Sequence, residues 1–168
     1  VDDIEQVTTK INVNNGYVPN SAPWQPGCGG GPGWGAAIHI IPWEIYRHFG
    51  DIQTLKNNYF AMTEQIRYML GYITDEGIMN CTKGVLNGET SYDKVLRLGE
   101  WVAPYGLPEK QLVHTYFLWH CADITSKTAS VLGKTEDVDK YAQIAKNAKT
   151  AFHKKYYDEK TKSYGDYG

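Results

Sequence analysis

Four helix-patterned segments follow one another along this 168-residue chain, and their apolar residues alternate between two distributions. The segment from about Gly35 to Phe49 is apolar nearly all round, with Ala37, Ile38, Ile40, Ile41, Trp43, Ile45, Tyr46 and Phe49. The next, about Thr54 to Ile73, keeps a one-sided seam of Leu55, Tyr59, Met62, Ile66, Met69 and Ile73, with Lys56, Asn57, Glu64 and Arg67 opposite. Residues 108–132 are broadly apolar again: Val113, Phe117, Cys121 and Ile124 line one face, and Leu112, Tyr116 and Trp119 another. Residues 137–156 return to a single stripe of Val138, Tyr141, Ala145, Ala148 and Phe152, decorated outside by Lys140, Lys146, Asn147 and Lys149. These spacings are helical. A simple four-helix bundle would make all four segments comparably amphipathic, because each helix would face both core and water. A helix that is apolar all round has to be covered on every side. The alternation therefore predicts an all-α fold in two concentric layers, each inner helix followed by its outer partner. Pro42 falls inside the first helix and is expected to kink it or tighten its first turns.

The connections differ in the same alternating way. Within each pair the turn is short, at Gly50-Asp51 and Gly133-Lys134, where glycine suits a helix C-cap. The stretches FGDIQTLKNNY and LGKTEDVDKY around these turns form a weak internal repeat. The segments that enter the inner helices are long, residues 10–34 and 74–108, and both carry tryptophan and glycine. If each inner helix is followed by its outer partner, both long loops open at one end of the molecule. Loops tolerate growth and carry function, so that end is the expected active face.

Several function classes are disfavoured. The 17 Lys and Arg against 19 Asp and Glu give a formal net charge of −2, without the basic footprint of a nucleic-acid binder or an anionic-membrane patch. No apolar run approaches the roughly 20 residues of a membrane span, and the start VDDIEQ lacks signal-peptide character. Three cysteines (Cys28, Cys81 and Cys121) are an odd number without metal-like spacing, so neither a disulfide framework nor a zinc site is expected. The run CGGGPGWG lacks the Gly-Lys-Ser/Thr ending and preceding strand of a phosphate cradle. Glu89 and Asp93 are candidates for a calcium or sugar contact, but no regular oxygen-ligand spacing supports calcium. No metal and no cofactor are expected. The lysines of residues 140–162 are interleaved with Asp and Glu, as on a solvated outer face. Aromatic residues make up 13% of the chain, a level that suits either sugar stacking or a large interhelical core.

At GWGAAIHIIPWEIYRHFGD and again at RLGEWVAPYGLPEKQLVHTYF the chain resembles glycoside hydrolase family 78, the α-L-rhamnosidases. The lead-in NNGYVPNSAPW is similar to the family's Gly-x-x-Pro loop, and residues 131–164 to its lysine-rich outer helix and exit. The resemblance covers nearly all of residues 1–168. It implies an (α/α)6 barrel, six helical hairpins in two rings, of which this chain would hold about two to three. The implied parent is an inverting glycosidase that removes terminal rhamnose from glycosides or polysaccharides. In such enzymes one carboxylic acid protonates the leaving oxygen while a second carboxylate activates water, the pair standing roughly 6.5–9.5 Å apart. The family's acid lies in an Arg-Asp-Glu-Arg-Leu-Gly-Trp-like motif and its base in a later hairpin. Neither motif is present here; the first is expected before Val1 and the second after Gly168. No catalytic residue is therefore assigned, and residues 1–168 alone are expected to hydrolyse nothing.

What the resemblance assigns instead is part of the sugar pocket. Trp34 stands where the family places a sugar-facing tryptophan, against the alternative that it only packs the loop onto the helix. Glu100 and Trp101 match the family's Gly-Asp-Trp motif with glutamate for aspartate: Glu100 would accept from sugar hydroxyls and Trp101 would pack beside them. Otherwise they are a solvated acid and a buried anchor. The longer side chain of Glu100, and Ala36 where many members have aspartate, argue against strict rhamnose specificity. His114, at the loop end of the third helix, is the fourth substrate-binding candidate, although one such histidine is more often structural. His39, His48, His120 and His153 read as core or surface. The partners implied are a carbohydrate and the rest of the parent chain, and the resemblance points to an exported or periplasmic parent. An incomplete ring would also expose apolar stripes and favour self-association. The rival enzyme is another six-hairpin glycosidase or lyase, because fold alone does not choose the substrate. The rival outside enzymes is a stacked-hairpin binding scaffold, which would carry short, similar loops at both ends.

Overall fold

The computed structural model describes residues 16–18, 31–80, 99–100 and 106–164; Trp101, Glu89, Asp93, Cys28, Cys81 and most of both long loops lie outside these. The elements are α1 (Pro32–Gly35), α2 (Ala37–Phe49), α3 (Ile52–Leu70), α4 (Lys110–Val131) and α5 (Thr135–Tyr156). Two short strands follow, β1 (Tyr157–Asp158) and β2 (Ser163–Tyr164), paired antiparallel. This hairpin and an isolated bridge between Ile73 and Met79 are the departures from an all-α fold among the described residues. Asp158 shapes the hairpin: Oδ1 accepts from the Lys160 N–H at 2.7 Å, and Lys162 takes the left-handed conformation at φ 57°.

Helix ends follow local chemistry. Gly50 takes φ 71° and its N–H donates to the Tyr46 carbonyl, closing α2, and Gly133 takes φ 70° after α4. A left-handed residue at this place favours glycine because it has no Cβ to clash. Asp51 then opens α3 by accepting the Thr54 N–H at 3.1 Å on Oδ1, which places the helix start two residues earlier than the apolar seam alone indicates. Pro42 lies within α2, which runs uninterrupted from Ala37 to Phe49. Ala36, between α1 and α2, keeps right-handed helical angles, its N–H donating to the Pro32 carbonyl and its carbonyl accepting from Ile40.

Burial matches the one-sided helices closely. Leu55, Tyr59, Met62, Ile66 and Met69 of α3 are buried, as are Tyr141, Ala145, Ala148 and Phe152 of α5. Ile73 falls beyond the helix and is exposed. Helix α4 buries Val113, Leu118, Cys121, Ala122, Ile124 and Ala129, while Tyr116 on its flank is partly exposed. Helix α2 departs from the expectation of burial all round: Ile38, His39 and Pro42 are buried, but Ile41 is 40% and Phe49 81% exposed. The apolar residues are there, and only one side of the helix is buried among the described residues.

Contacts fix the directions. Gly33 lies against Phe117, and His39, two turns further along, reaches Thr125; α2 and α4 therefore run parallel. Helix α3 returns antiparallel to α2, bringing Gln65 against Gly35. Helix α5 returns along α4: Ser126 Oγ donates to the Val138 carbonyl at one end, and Lys155 Nζ donates to Gln111 Oε1 at the other.

Candidate functional site

Parallel inner helices bring the two entry segments to one end. Residues 71–80 are held there by a bridge between Ile73 and Met79 and by the Met79 N–H donating to Thr115 Oγ1 at 3.0 Å. Thr115 in turn donates to the Gln111 carbonyl, so the segment is tied to the first turns of α4. Gly16 lies on α3 with φ 72°, and a Cβ there would run into the Glu64 carbonyl. Its neighbour Tyr17 packs edge-on against Tyr68 at 5.8 Å between ring centroids. Gly99, just before Glu100, packs against Lys110, the first residue of α4.

Of the four sugar-contact candidates, Trp34 and Glu100 each directly follow a glycine packed against the N-terminal half of α4. Trp34 sits in α1 beside the Gly33–Phe117 contact and is 43% exposed, leaving part of its indole open to solvent. Glu100 is exposed next to the Lys110 contact. The seven residues from Lys110 to Phe117 correspond to about 10 Å of helix rise. His114 lies between these two points along α4 and is 1% exposed. Trp101 lies outside the described residues. A shallow hollow of about 290 Å³ at residues 71–76 opens at this end. The larger groove, about 710 Å³, lies instead between the outer helices α3 and α5.

Beneath this end, a polar cluster lies between the helices that no local pattern had marked. His39 is fully buried, and its Nδ1 stands 3.0 Å from Thr125 Oγ1. The single Thr125 hydroxyl proton is engaged with the Cys121 carbonyl at 2.8 Å. With that proton engaged, Thr125 can accept from His39 Nδ1–H. Beyond the Gln65 side chain, which hydrogen-bonds the imidazole, Nε2 finds no partner among the described residues. Burial pushes the imidazole pKa down to about 3; the Gln65 side chain opposes the shift and His120 adds to it. Burial likewise pushes the Cys121 thiol pKa up, which makes it an inert core residue. Asn58 and Gln65 are also buried, within the otherwise apolar seam of α3. The missed signal was positional, since both stand at spacings shared with Leu55, Met62 and Ile66. Among the described residues, no group of three or more His, Cys, Asp or Glu side chains is arranged to hold a metal ion.

The model of the bacterial α-L-rhamnosidase six-hairpin glycosidase domain matches residues 4–167. An α-L-rhamnosidase of Formosa agariphila is 30% identical over 135 residues, covering 74% of this chain and 13% of its own length. Another from Alteromonas sp. (strain LOR) is 29% identical over 137 residues, covering 76% of this chain and 13% of its own. The chain thus spans about an eighth of these relatives. In fold it resembles the Streptomyces avermitilis α-L-rhamnosidase solved with L-rhamnose, at TM-score 0.74 and 22% identity over 93% of this chain and 14% of that one. The Dictyoglumus thermophilum α-L-rhamnosidase gives TM-score 0.73 and 24% identity over 94% of this chain and 17% of that one. With nearly its whole length matched by that domain model, the chain belongs to the bacterial α-L-rhamnosidase six-hairpin glycosidase family.

Proposed function

We propose that these residues form two to three hairpins of the catalytic ring of an inverting α-L-rhamnosidase and supply part of its sugar pocket. The observation that carries this reading is the common end of α2 and α4, where the glycines before Trp34 and Glu100 pack on one inner helix. A partly open indole offers a face for sugar C–H groups, and a carboxylate accepts from ring hydroxyls. Trp101, next to Glu100 in sequence, belongs to the same wall in this reading. His114, being buried, acts by positioning the start of α4 rather than by touching sugar. The general acid and base come from other hairpins of the ring, so this part binds and orients the sugar while bond cleavage occurs between carboxylates it does not carry.

The test is hydrolysis of an aryl α-L-rhamnoside by the full-length protein that carries this chain. Activity there, none above the buffer blank with residues 1–168 alone, and a KM raised about tenfold in Trp34→Ala are the expected outcomes; loss of one stacked ring costs on the order of 1.4 kcal/mol. Hydrolysis by the 168-residue chain itself would overturn the assignment of acid and base to other hairpins. Glu100 and Ala36, where the family more often has aspartate, favour a second reading in which the same site takes a different sugar. Aryl glucosides and uronides in the same assay separate the two.

A further inference from the structure

The larger groove does not belong to the loop end. It lies between the outer helices α3 and α5, near the tight turns, and encloses about 710 Å³, within the range of ligand sites. Three ammonium groups line it, those of Lys56, Lys134 and Lys140. Two of them are held by aromatic faces: Lys134 Nζ is 5.1 Å from the Tyr59 ring centroid and Lys140 Nζ is 5.0 Å from that of Tyr141. None of the three makes an ion pair among the described residues. The acid in the lining, Asp137, accepts a hydrogen bond from the Tyr59 hydroxyl at 2.7 Å, which fixes the floor of the groove. Burial and this carboxylate together push the Tyr59 phenol pKa well above its usual value, so the phenol stays a neutral donor. Three cations against one carboxylate leave the groove with a net charge of +2. Phe60 also lines it and is 63% exposed, a ring whose area is open rather than capped by a lysine.

Cations beside an open aromatic ring suit a ligand with anionic groups and apolar C–H faces on one framework. We propose that this groove is a second carbohydrate site that binds an acidic saccharide segment, with Lys56, Lys134 and Lys140 facing its carboxylates or sulfates and Phe60 stacking on a sugar ring. A sugar is preferred over an acidic peptide because Phe60 offers a flat exposed face, and because the groove runs along two helices, as an extended chain requires. The inference rests on the reading of the parent as an enzyme of carbohydrate chains. The role of such a site would be to hold a charged polysaccharide on the protein while its end is processed elsewhere.

The probe is tetragalacturonate, titrated into the full-length protein by calorimetry at low salt, with cellotetraose as the neutral control and tetraglutamate as the peptide control. The expected result is millimolar binding of tetragalacturonate only, weakened about tenfold by the combined Lys56→Gln, Lys134→Gln and Lys140→Gln substitutions and about threefold by Phe60→Ala. Raising the salt to about 0.3 M should weaken the wild-type interaction severalfold, since these charges are exposed. All four substituted side chains are exposed, and an unchanged melting temperature would confirm that each variant is folded. Absence of binding at low salt, or equal binding by the triple variant, overturns the proposal. Equal binding of tetraglutamate with no effect of Phe60→Ala overturns it in favour of an acidic protein partner. Aryl rhamnoside hydrolysis, measured in parallel, should be unchanged by the triple variant. If hydrolysis is present and binding absent, the groove assignment alone fails; if binding is present and hydrolysis absent, the rhamnosidase reading fails.

Discussion

Stability should fall steeply with acid, and His39 should account for an identifiable part of the loss. Its imidazole is fully buried between α2, α3 and α4 with Nδ1 3.0 Å from Thr125 Oγ1, and burial outweighs the Gln65 side chain, which favours the proton, so the folded protein holds it neutral. With the folded pKa near 3 and an unfolded value of 6.5, both states are neutral above about pH 7 and the group contributes no pH dependence there. As pH falls below 6.5 the unfolded chain takes up a proton that the folded chain refuses, and stability declines until pH approaches 3. At pH 5 the penalty is about 2 kcal/mol, one and a half pH units at 1.36 kcal/mol each. That is a large fraction of the roughly 5–15 kcal/mol that holds a domain together. The comparison variant is His39→Gln, whose amide can still donate to Thr125 but does not titrate. Urea unfolding followed by tryptophan fluorescence at pH 7.5 and pH 5 gives both slopes. With an m-value of about 2 kcal/mol/M, the wild-type midpoint should drop by about 1 M more than that of the variant. The exposed histidines and the carboxylates titrate alike in both proteins and cancel. Equal drops would refute the argument, because they would mean that His39 gains its proton in the folded state as readily as in the unfolded one.

Three further outcomes follow from packing. Gly16→Ala should destabilise by roughly 3 kcal/mol, combining a left-handed backbone with a Cβ driven into the Glu64 carbonyl, and thermal unfolding would show it; a change under 0.5 kcal/mol would mean that residues 16–18 do not rest on α3. Leu118→Ala empties a fully buried site in the α4 core and should cost about 3 kcal/mol in urea unfolding. Tyr59→Phe removes the hydroxyl donated to Asp137 while keeping the ring under Lys134, and should cost about 1 kcal/mol; no loss would mean that water replaces the bond without penalty.

The features legible in the sequence were those set by neighbours along the chain. The α3 seam, the α5 stripe and the two glycine caps depend on spacing and on backbone conformation, and both act within a few residues. What could not be read depends on neighbours across space. Ile41 and Phe49 look identical in sequence whether or not another helix covers them, and in this chain they are exposed. His114 looked like a loop-end donor because its position along α4 was known and its side of the helix was not; its 1% exposure follows from the neighbours packed around the first turns of that helix. The same limit hid the His39–Thr125 bond, which joins residues 86 positions apart, since no periodicity marks which polar residue in an apolar helix will meet another. The inner and outer helices therefore divide the work. The outer helices carry patterns that can be read locally because one of their faces is always water. The inner helices carry most of the polar exceptions, His39, Thr115, Thr125 and Thr128 among them, and the outer α3 adds Asn58 and Gln65; only their surroundings can satisfy a buried imidazole, amide or hydroxyl. A site built at the mouth of such a ring draws on inner-helix residues from several hairpins, so its composition is the part of this fold least recoverable from any one stretch of sequence.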